Sequence, residues 1–507
     1  MDSRANATRR LTLWVRLTDA VLLGVALAFA LVFVLVVAVR LTFPFALNDL
    51  DFGFLQQVRR VLHHQSLFPA PSVSFVPYQY TPLYYYVSAL AAHVLGDGFL
   101  PLRAVSFAAS LVSIAFIGHI VRRETGSVRS GILAACLFAA TYRVSPMWFD
   151  VPSTDMLLLA LLLAAMYAAR FSSNGMTGIL AAAGLMTLAF LTKQTALIVG
   201  VGLAACWDRR RAVLFLGVFG AGIVLSTLLL VALEGPLYPL YVFRLSTQQA
   251  HWGNLHQGFT FWAHDLLGVL PIALVIVAYW WSRQTVGGHT PSAARARFYA
   301  AALGGTIIAA LVSRVLQRSG TNATLPVYAL IAILLGLAVH ELRRIARRKH
   351  DRAAELLIAS LYLAQFLMLA YVPWHVTLTE PTYGIELRTI IDTPSGLTDR
   401  PLRTVWDAAD RTAFAFGPAV LDVLNGGTPD ITRAFVSSLQ DAVCHPGGEH
   451  MVIVHAALFD PEILGLLVDR PVESRSGPAI LRDGPSAGSA GECGRRLNDL
   501  MRQPWRP

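Results

Sequence analysis

The sequence predicts an all-α polytopic membrane protein of about eleven transmembrane helices, with surface helices in its first outer loop and a small C-terminal α/β soluble domain. Three observations carry this prediction. The 507 residues are 55% hydrophobic and only 14% charged, with a mean hydropathy of +0.55, whereas soluble domains carry about 25% charged residues. Apolar runs long enough for the ~30 Å hydrocarbon core recur along the chain. The charge is also divided: residues 1–373 hold 29 Lys and Arg against 14 Asp and Glu, a balance of +15, and residues 374–507 hold 12 against 17, a balance of −5. The overall +10 therefore belongs to membrane loops and not to a nucleic-acid surface, and no nucleic-acid partner is expected.

Hydropathy places spans near 18–40, 102–121, 130–148, 154–169, 176–191, 194–207, 212–233, 264–282, 298–316, 326–342 and 355–373. The stretch Pro82 to Gly96 decides the orientation of everything after it. At ~1.5 Å per residue it reaches about 22 Å, short of a crossing. The arginines agree. With the N-terminus in the cytoplasm and 82–96 outside, the inner loops collect 20 of the 29 basic residues before position 374, including Arg209–Arg211 and the run Arg343–Arg352. If 82–96 crossed, both clusters would face outward, against the positive-inside rule. Tyr84, Tyr85 and Tyr86 suit a helix lying in the interface. No small-residue cleavage site follows the first apolar run, so that run is expected to remain as a span.

This parity makes 1–373 a transmembrane domain with a first outer loop at 41–101, and exports 374–507 as the soluble domain, its last residues loosely ordered. Cys136 and Cys206 read as packing residues in spans. Cys444 and Cys493 in an exported tail either pair or stand as separate thiols. Only two of the 41 basic residues are lysines, a bias of GC-rich bacterial coding, and the expected location is a bacterial inner membrane.

With this topology the ionisable residues gather at the outer ends of the spans, where charge is costly unless it lines a polar cavity. Asp49 and Asp51 follow the first span; either could serve as a general base, bind a metal or cap the helix that follows. Lys193 sits at a span boundary as a compact cation suited to a phosphate or to snorkelling. Asp155 would lie about one turn deep at the start of the fourth span and needs a partner, with Arg143 and Lys193 the candidates. Asp150, just before it, falls at the same outer face. No spacing among the histidines matches a metal motif, and no phosphate-binding glycine loop is present.

Together these residues resemble a family. Asp51-Phe52-Gly53, a helix, Tyr78-Gln79-Tyr80-Thr81-Pro82-Leu83-Tyr84-Tyr85-Tyr86 and a closing Leu95-Gly96 are similar to the first outer loop of the GT-C glycosyltransferases, in the branch of protein O-mannosyltransferases and the lipid A aminoarabinose transferase. Asp155-Met156-Leu157, Leu188 to Gln194, and Gly320-Thr321-Asn322 ahead of Leu325-Pro326 match further along, and the resemblance covers about 15–345. Relatives commonly carry Asp-Glu where this chain has Asp-Phe, and a glycine where it has Gln65, so the base is Asp49 or Asp51; the distance to Gln65 favours Asp51.

The resemblance implies an inverting transfer of a monosaccharide from a polyprenyl-phosphate donor to a lipid, glycan or protein acceptor on the non-cytoplasmic face. It assigns the base to Asp51 or Asp49 and the donor phosphate to Lys193 with Arg143, Arg103 or Arg59. Tyr78, Tyr80, Tyr84, Asp150, Asp155, Gln194 and Asn322 fall in the donor and acceptor pocket. No cofactor or metal is expected, although relatives differ over a divalent ion. Two rivals share some of these features: a secondary transporter, which would show repeats and midplane charges, and a ligase-type enzyme of the same superfamily using a diphosphate-linked glycan.

Overall fold

The computed structural model describes residues 2–43, 47–48, 50–72, 75–172, 175–245, 255–286, 290–316 and 320–373, and in the tail only 428, 430–431, 433–434, 437–438, 452–453, 472–474 and 479–481. Asp49, Cys444 and Cys493 fall outside the described residues. The helices in order are α1 (Asp2–Leu41), α2 (Asp51–Leu62), α3 (Leu83–Leu95), α4 (Phe99–Thr125), α5 (Val128–Ala140), α6 (Asp155–Phe171), α7 (Gly175–Thr192), α8 (Ala196–Ala204) and α9 (Arg209–Glu234). Longer helices follow at Pro271–Val286, Thr290–Leu316, Leu325–Arg348 and Arg352–Met368.

Six described helices are long and apolar enough to cross a membrane, and a seventh if the pair His256–Leu267 and Pro271–Arg283, bent by 88°, forms one span. A helix stands at each of the eleven expected positions, but not always at spanning length. The expected span 194–207 holds only the nine residues of α8, about 14 Å of helix, and α5 is 13 residues long before the chain turns through 141–150. Hydropathy over a window sees apolar composition and misses the turns that cut it short. Between Pro82 and Gly96 the structure has the 13-residue α3, whose Tyr84, Tyr85, Ser88, Ala89 and Ala92 are buried and whose Leu90 and Val94 are exposed.

The chain divides into two compact units. The first comprises Met1–Asp51, Tyr80–Leu230 and Ala250–Thr379. Its core surrounds Leu325–Arg348, buried over 89% of its apolar window. Small residues let helix backbones meet without a side chain between them, the usual solution where lipid removes the hydrophobic drive. A methyl on Gly202 would lie 2.5 Å from Gly305 Cα, and one on Gly131 would lie 2.5 Å from Gly118 O. Local signals set the helix ends: α4 stops at Gly126 in the left-handed region (φ 71°), and Ser127 caps α5 by accepting from Ser130 N–H at 3.2 Å.

Ion pairs sort to opposite ends of this unit. At one end Glu124 holds Arg170 at 2.6 Å and accepts from Tyr299, and Arg209–Arg211 open α9. Asp19, within α1, meets Arg129 at 3.1 Å and Arg343 at 2.6 Å, tying α1 to the start of α5 and the later part of Leu325–Arg348. The carboxylates of the candidate site lie at the other end, where α1 and α7 finish and α4 and α6 begin.

The second unit comprises Phe52–Gln79, Val231–Gln249 and Glu380–Pro507. Glu234, the last residue of α9, accepts from Leu67 N–H at 2.6 Å through its carboxylate and from Ser66 Oγ at 2.7 Å through its carbonyl. Tyr241 donates to Pro69 O at 3.2 Å, and Phe68 packs edge-on to Tyr238 at 5.0 Å. Phe54 packs edge-on to Tyr78 at 5.2 Å, directly over Gly53, where a methyl would lie 1.9 Å from the Tyr78 hydroxyl. Gly53→Ala gains about 1 kcal/mol of helix propensity but forces an aromatic ring out of place, an overpacking cost of about 1–3 kcal/mol. The clash should win. Thermal unfolding of the purified variant is expected at lower temperature than wild type, with Tyr78→Leu in the same chain recovering part of the loss. In the tail, β1 (Val452–Ile453), β2 (Val472–Ser474) and β3 (Ala479–Leu481) pair antiparallel in the order β1-β3-β2.

Candidate active site

The first polar cluster forms where the chain leaves α1 and re-enters at α2. Asn48 takes the capping position: its Oδ1 accepts from Leu50 N–H at 2.8 Å and Asp51 N–H at 3.1 Å. That frees the Asp51 side chain from the capping role. Asp51 is fully buried, its Oδ2 accepting from Leu47 N–H at 2.8 Å and lying 3.6 Å from the Arg103 guanidinium. Its Oδ1 is buried and has no hydrogen-bond partner among the described residues. Burial pushes the Asp51 carboxyl up to about 6, while Arg103 and the Leu47 N–H pull the other way.

Arg103, near the start of α4 and fully buried, also donates to Arg40 O at 3.2 Å and to Phe43 O, and its guanidinium lies 5.0 Å from the Phe99 ring centroid. Arg40, at the end of α1, pairs with Asp150 at 2.6 Å, and Tyr142 donates to the other Asp150 oxygen at 3.0 Å. The result is two buried ion pairs side by side, Asp51–Arg103 and Arg40–Asp150. Each buried ion costs several kcal/mol to dehydrate, a cost that the facing carboxylate offsets for each arginine.

A second cluster joins α6, α7 and the 3₁₀ turn Thr321–Thr324. Lys193 follows α7, its N–H still bonded to Ala189 O at 2.9 Å. Its ammonium meets Asp155 Oδ1 at 2.7 Å, and Asn322 Nδ2 donates to Asp155 Oδ2 at 3.0 Å. All three side chains are nearly buried. The Tyr80 ring lies 5.5 Å from the ammonium, within cation–π range, and Thr81 Oγ1 donates to Phe190 O at 2.7 Å, which ties the start of α3 to the end of α7. A third pair closes the same end: Asp265 and Arg314 at 2.7 Å, with Tyr328 donating to Asp265 O at 2.7 Å.

Of the residues expected from sequence, Asp51 and Arg103 stand together, and so do Lys193, Asp155, Asn322 and Tyr80. Asp155 finds Lys193 and not Arg143, which is exposed. Arg103 is engaged by Asp51 and the end of α1. Asp150 is engaged by Arg40 and Tyr142. Tyr84 is wholly buried, its hydroxyl bonded to Leu102 O at 2.9 Å and Ser106 Oγ at 3.0 Å, so it fastens α3 to α4. Tyr78 and Arg59 belong to the second unit. Gln194 is half-buried in the turn after Lys193. Sequence reasoning passed over Arg40 and Tyr142. The available signal was an arginine at the end of a span that the charge pattern assigns to the outside, which calls for a buried partner. Among the described residues no group of three or more His, Cys, Asp or Glu could hold a metal ion.

Apolar helices bundled around one buried helix, with paired buried charges collected at one end, define a polytopic membrane protein. The family described as dolichyl-phosphate-mannose-protein mannosyltransferase matches residues 79–233. ArnT from Cupriavidus metallidurans bound to undecaprenyl phosphate has a similar fold, with TM-score 0.59 and 15% identity over 92% of this chain and 99% of that one. The apo state of the same protein aligns with TM-score 0.53 and 16% identity, again over 92% and 99%. The archaeal oligosaccharyltransferase AglB from Archaeoglobus fulgidus, in complex with an inhibitory peptide and a dolichol-phosphate, aligns at 0.42 and 14% identity over 73% of this chain and 58% of that one. No curated protein matches by sequence. The chain therefore shares its fold with ArnT, and its residues 79–233 match the mannosyltransferase family.

Proposed function

We propose that this protein is an inverting glycosyltransferase that moves a monosaccharide from a polyprenyl-phosphate donor to a hydroxyl acceptor on the non-cytoplasmic face of the membrane. The observation that carries the reading is Asp51: a buried carboxylate, one oxygen fixed by Leu47 and Arg103 and the other without a partner among the described residues. It lies at the same end of the helix bundle as the Lys193–Asp155–Asn322 cluster. The match to a lipid-linked mannosyltransferase family over 79–233 and the fold shared with a protein crystallised with undecaprenyl phosphate support it.

In this reading the acceptor oxygen attacks the anomeric carbon as the bond to the phosphate oxygen breaks. The polyprenyl phosphate leaves with the bonding pair, and the acceptor proton passes to Asp51 Oδ1. Such general-base help is worth about 10²–10⁴-fold. A pKa raised towards neutrality makes Asp51 a stronger base than a surface carboxylate while leaving it mostly ionised at pH 7. Lys193, aimed by Asp155, offers its charge to the donor phosphate, with exposed Arg143 as a further cation. Arg103 acts through Asp51 and not on the phosphate. Asp49 remains the alternative base.

The membrane arrangement is part of the proposal: eleven spans, the N-terminus in the cytoplasm, residues 374–507 exported as an α/β domain, in a bacterial inner membrane. Lipid, glycan and protein remain open as acceptor classes, and the chemistry as drawn needs no metal.

The pH profile tests the base. Activity requires ionised Asp51, so kcat/KM should fall as pH drops through about 6. Arg103 opposes the upward push of burial, so Arg103→Leu should move this acidic limb to higher pH, while Arg103→Lys should largely keep it in place. A limb unmoved by Arg103→Leu would detach the titration from Asp51. The function as a whole is tested by reconstituting the protein with a panel of polyprenyl-phosphate sugars and following loss of the lipid-linked sugar. Consumption of at least one is expected, and consumption of none contradicts the reading.

A further inference from the structure

Asn322 is placed as a reader of a polar ligand group. Its side chain is only 7% exposed. The nitrogen must face Asp155, because a carboxylate accepts and cannot donate, so the orientation of the amide is fixed by chemistry. The carbonyl oxygen then points away from the ion pair, and it has no hydrogen-bond partner among the described residues. A buried, unmatched acceptor costs about 1–3 kcal/mol, a cost that a ligand donor would remove.

Gly320 gives the second observation. Its backbone, at φ −69° and ψ −170°, is open to any residue, so no strain demands glycine there. What the position requires is space: a methyl on Gly320 would lie 3.3 Å from Asn322 Oδ1 and 3.9 Å from Trp148 Cζ2. Gly320 is exposed, and Trp148 is half-buried with its body packed on the core. An aromatic edge, a buried amide acceptor and an absent side chain thus lie together beside the Lys193–Asp155 pair.

We infer that Trp148, Gly320 and Asn322 form the subsite for the transferred monosaccharide. Asn322 Oδ1 accepts from a sugar hydroxyl, Trp148 lies against the C–H face of the ring, and Gly320 leaves room for both. This deepens the proposed glycosyl transfer and rests on it. Asn322 also keeps Asp155 aimed at Lys193, so one residue would couple recognition of the sugar to placement of the phosphate cation.

Binding without turnover tests the subsite. Affinities of the purified full-length protein are measured for bare polyprenyl phosphate and for carriers bearing mannose, glucose, galactose or an aminopentose. Wild type is expected to bind at least one sugar-linked carrier about tenfold or more tighter than the bare one, the order of one hydrogen bond to a buried acceptor. Asn322→Ala, Gly320→Val and Trp148→Ala should each lose that preference. Trp148→Phe should keep most of the preference. If wild type shows a preference that all three disruptive variants retain, or shows none over the bare carrier, the subsite is wrong and the transfer reading stands. If wild type binds neither kind of carrier, the transfer reading falls, and the subsite with it.

Discussion

Asp51→Asn is expected to lower kcat by about 10²–10⁴-fold, the range for loss of a general base, with little change in donor affinity. The substitution preserves shape, and an asparagine oxygen can still accept from Leu47 N–H, as Asp51 does at 2.8 Å. Arg103 keeps its backbone acceptors Arg40 O and Phe43 O, so the end of α1 should stay in place. The neutral amide gives up both the proton-accepting oxygen and the counter-charge of Arg103, so thermal stability should also drop, by about 3–5 kcal/mol. A fall in kcat without a matching rise in KM identifies an interaction made in the transition state. A variant that folds and transfers sugar at the wild-type rate would remove Asp51 from the chemistry and leave Asp49 to be tried in the same way.

The second large effect is expected at Lys193. Lys193→Met keeps much of the length of the side chain but strands Asp155, whose remaining partner is the Asn322 amide. Removing one member of a buried ion pair typically costs about 3–5 kcal/mol, so thermal stability should drop. If the ammonium also steadies the departing phosphate, kcat should fall by about 10²–10³-fold, the effect of removing one fixed donor from developing charge. Lys193→Met combined with Asp155→Asn separates the two roles. The double variant removes the stranded charge and should recover much of the stability but none of the activity. Recovery of both would make the pair a structural tie between α6 and α7.

The helices at α1, α4, α7 and α9 were legible because a run of apolar residues has no other stable arrangement in lipid. The short helix at Leu83–Leu95 was legible from the apolar run bounded by Pro82 and Gly96. Residues 194–207 have equally apolar composition, yet the chain makes only α8 there, because turns follow at 205–207. The gathering of ionisable groups at one end followed from sidedness and the positive-inside pattern. Their pairing did not. Asp155 and Lys193 are 38 residues apart, Asp155 and Asn322 167, and Arg40 and Asp150 110. Such partnerships are decided by helix packing, which no local pattern encodes. For that reason Arg103, expected on a phosphate, is engaged by Asp51, and Tyr84, expected in the pocket, fastens α3 to α4. The competition between capping and chemistry at Asp51 was also beyond the sequence, since both Asn48 and Asp51 are good caps; the structure gives the role to Asn48.

The proposed chemistry is transfer of a sugar with loss of a monophosphate carrier, with Asp51 as the base. It is tested most directly by a single-turnover reaction of reconstituted wild type and Asp51→Asn with the polyprenyl-phosphate sugar that wild type consumes. Released carrier is quantified, and the anomeric configuration of the product is assigned by NMR. One polyprenyl phosphate is expected per sugar transferred, with inverted configuration and a rate at least about 10²-fold lower for Asp51→Asn. Retained configuration, or equal rates for the two proteins, would contradict it.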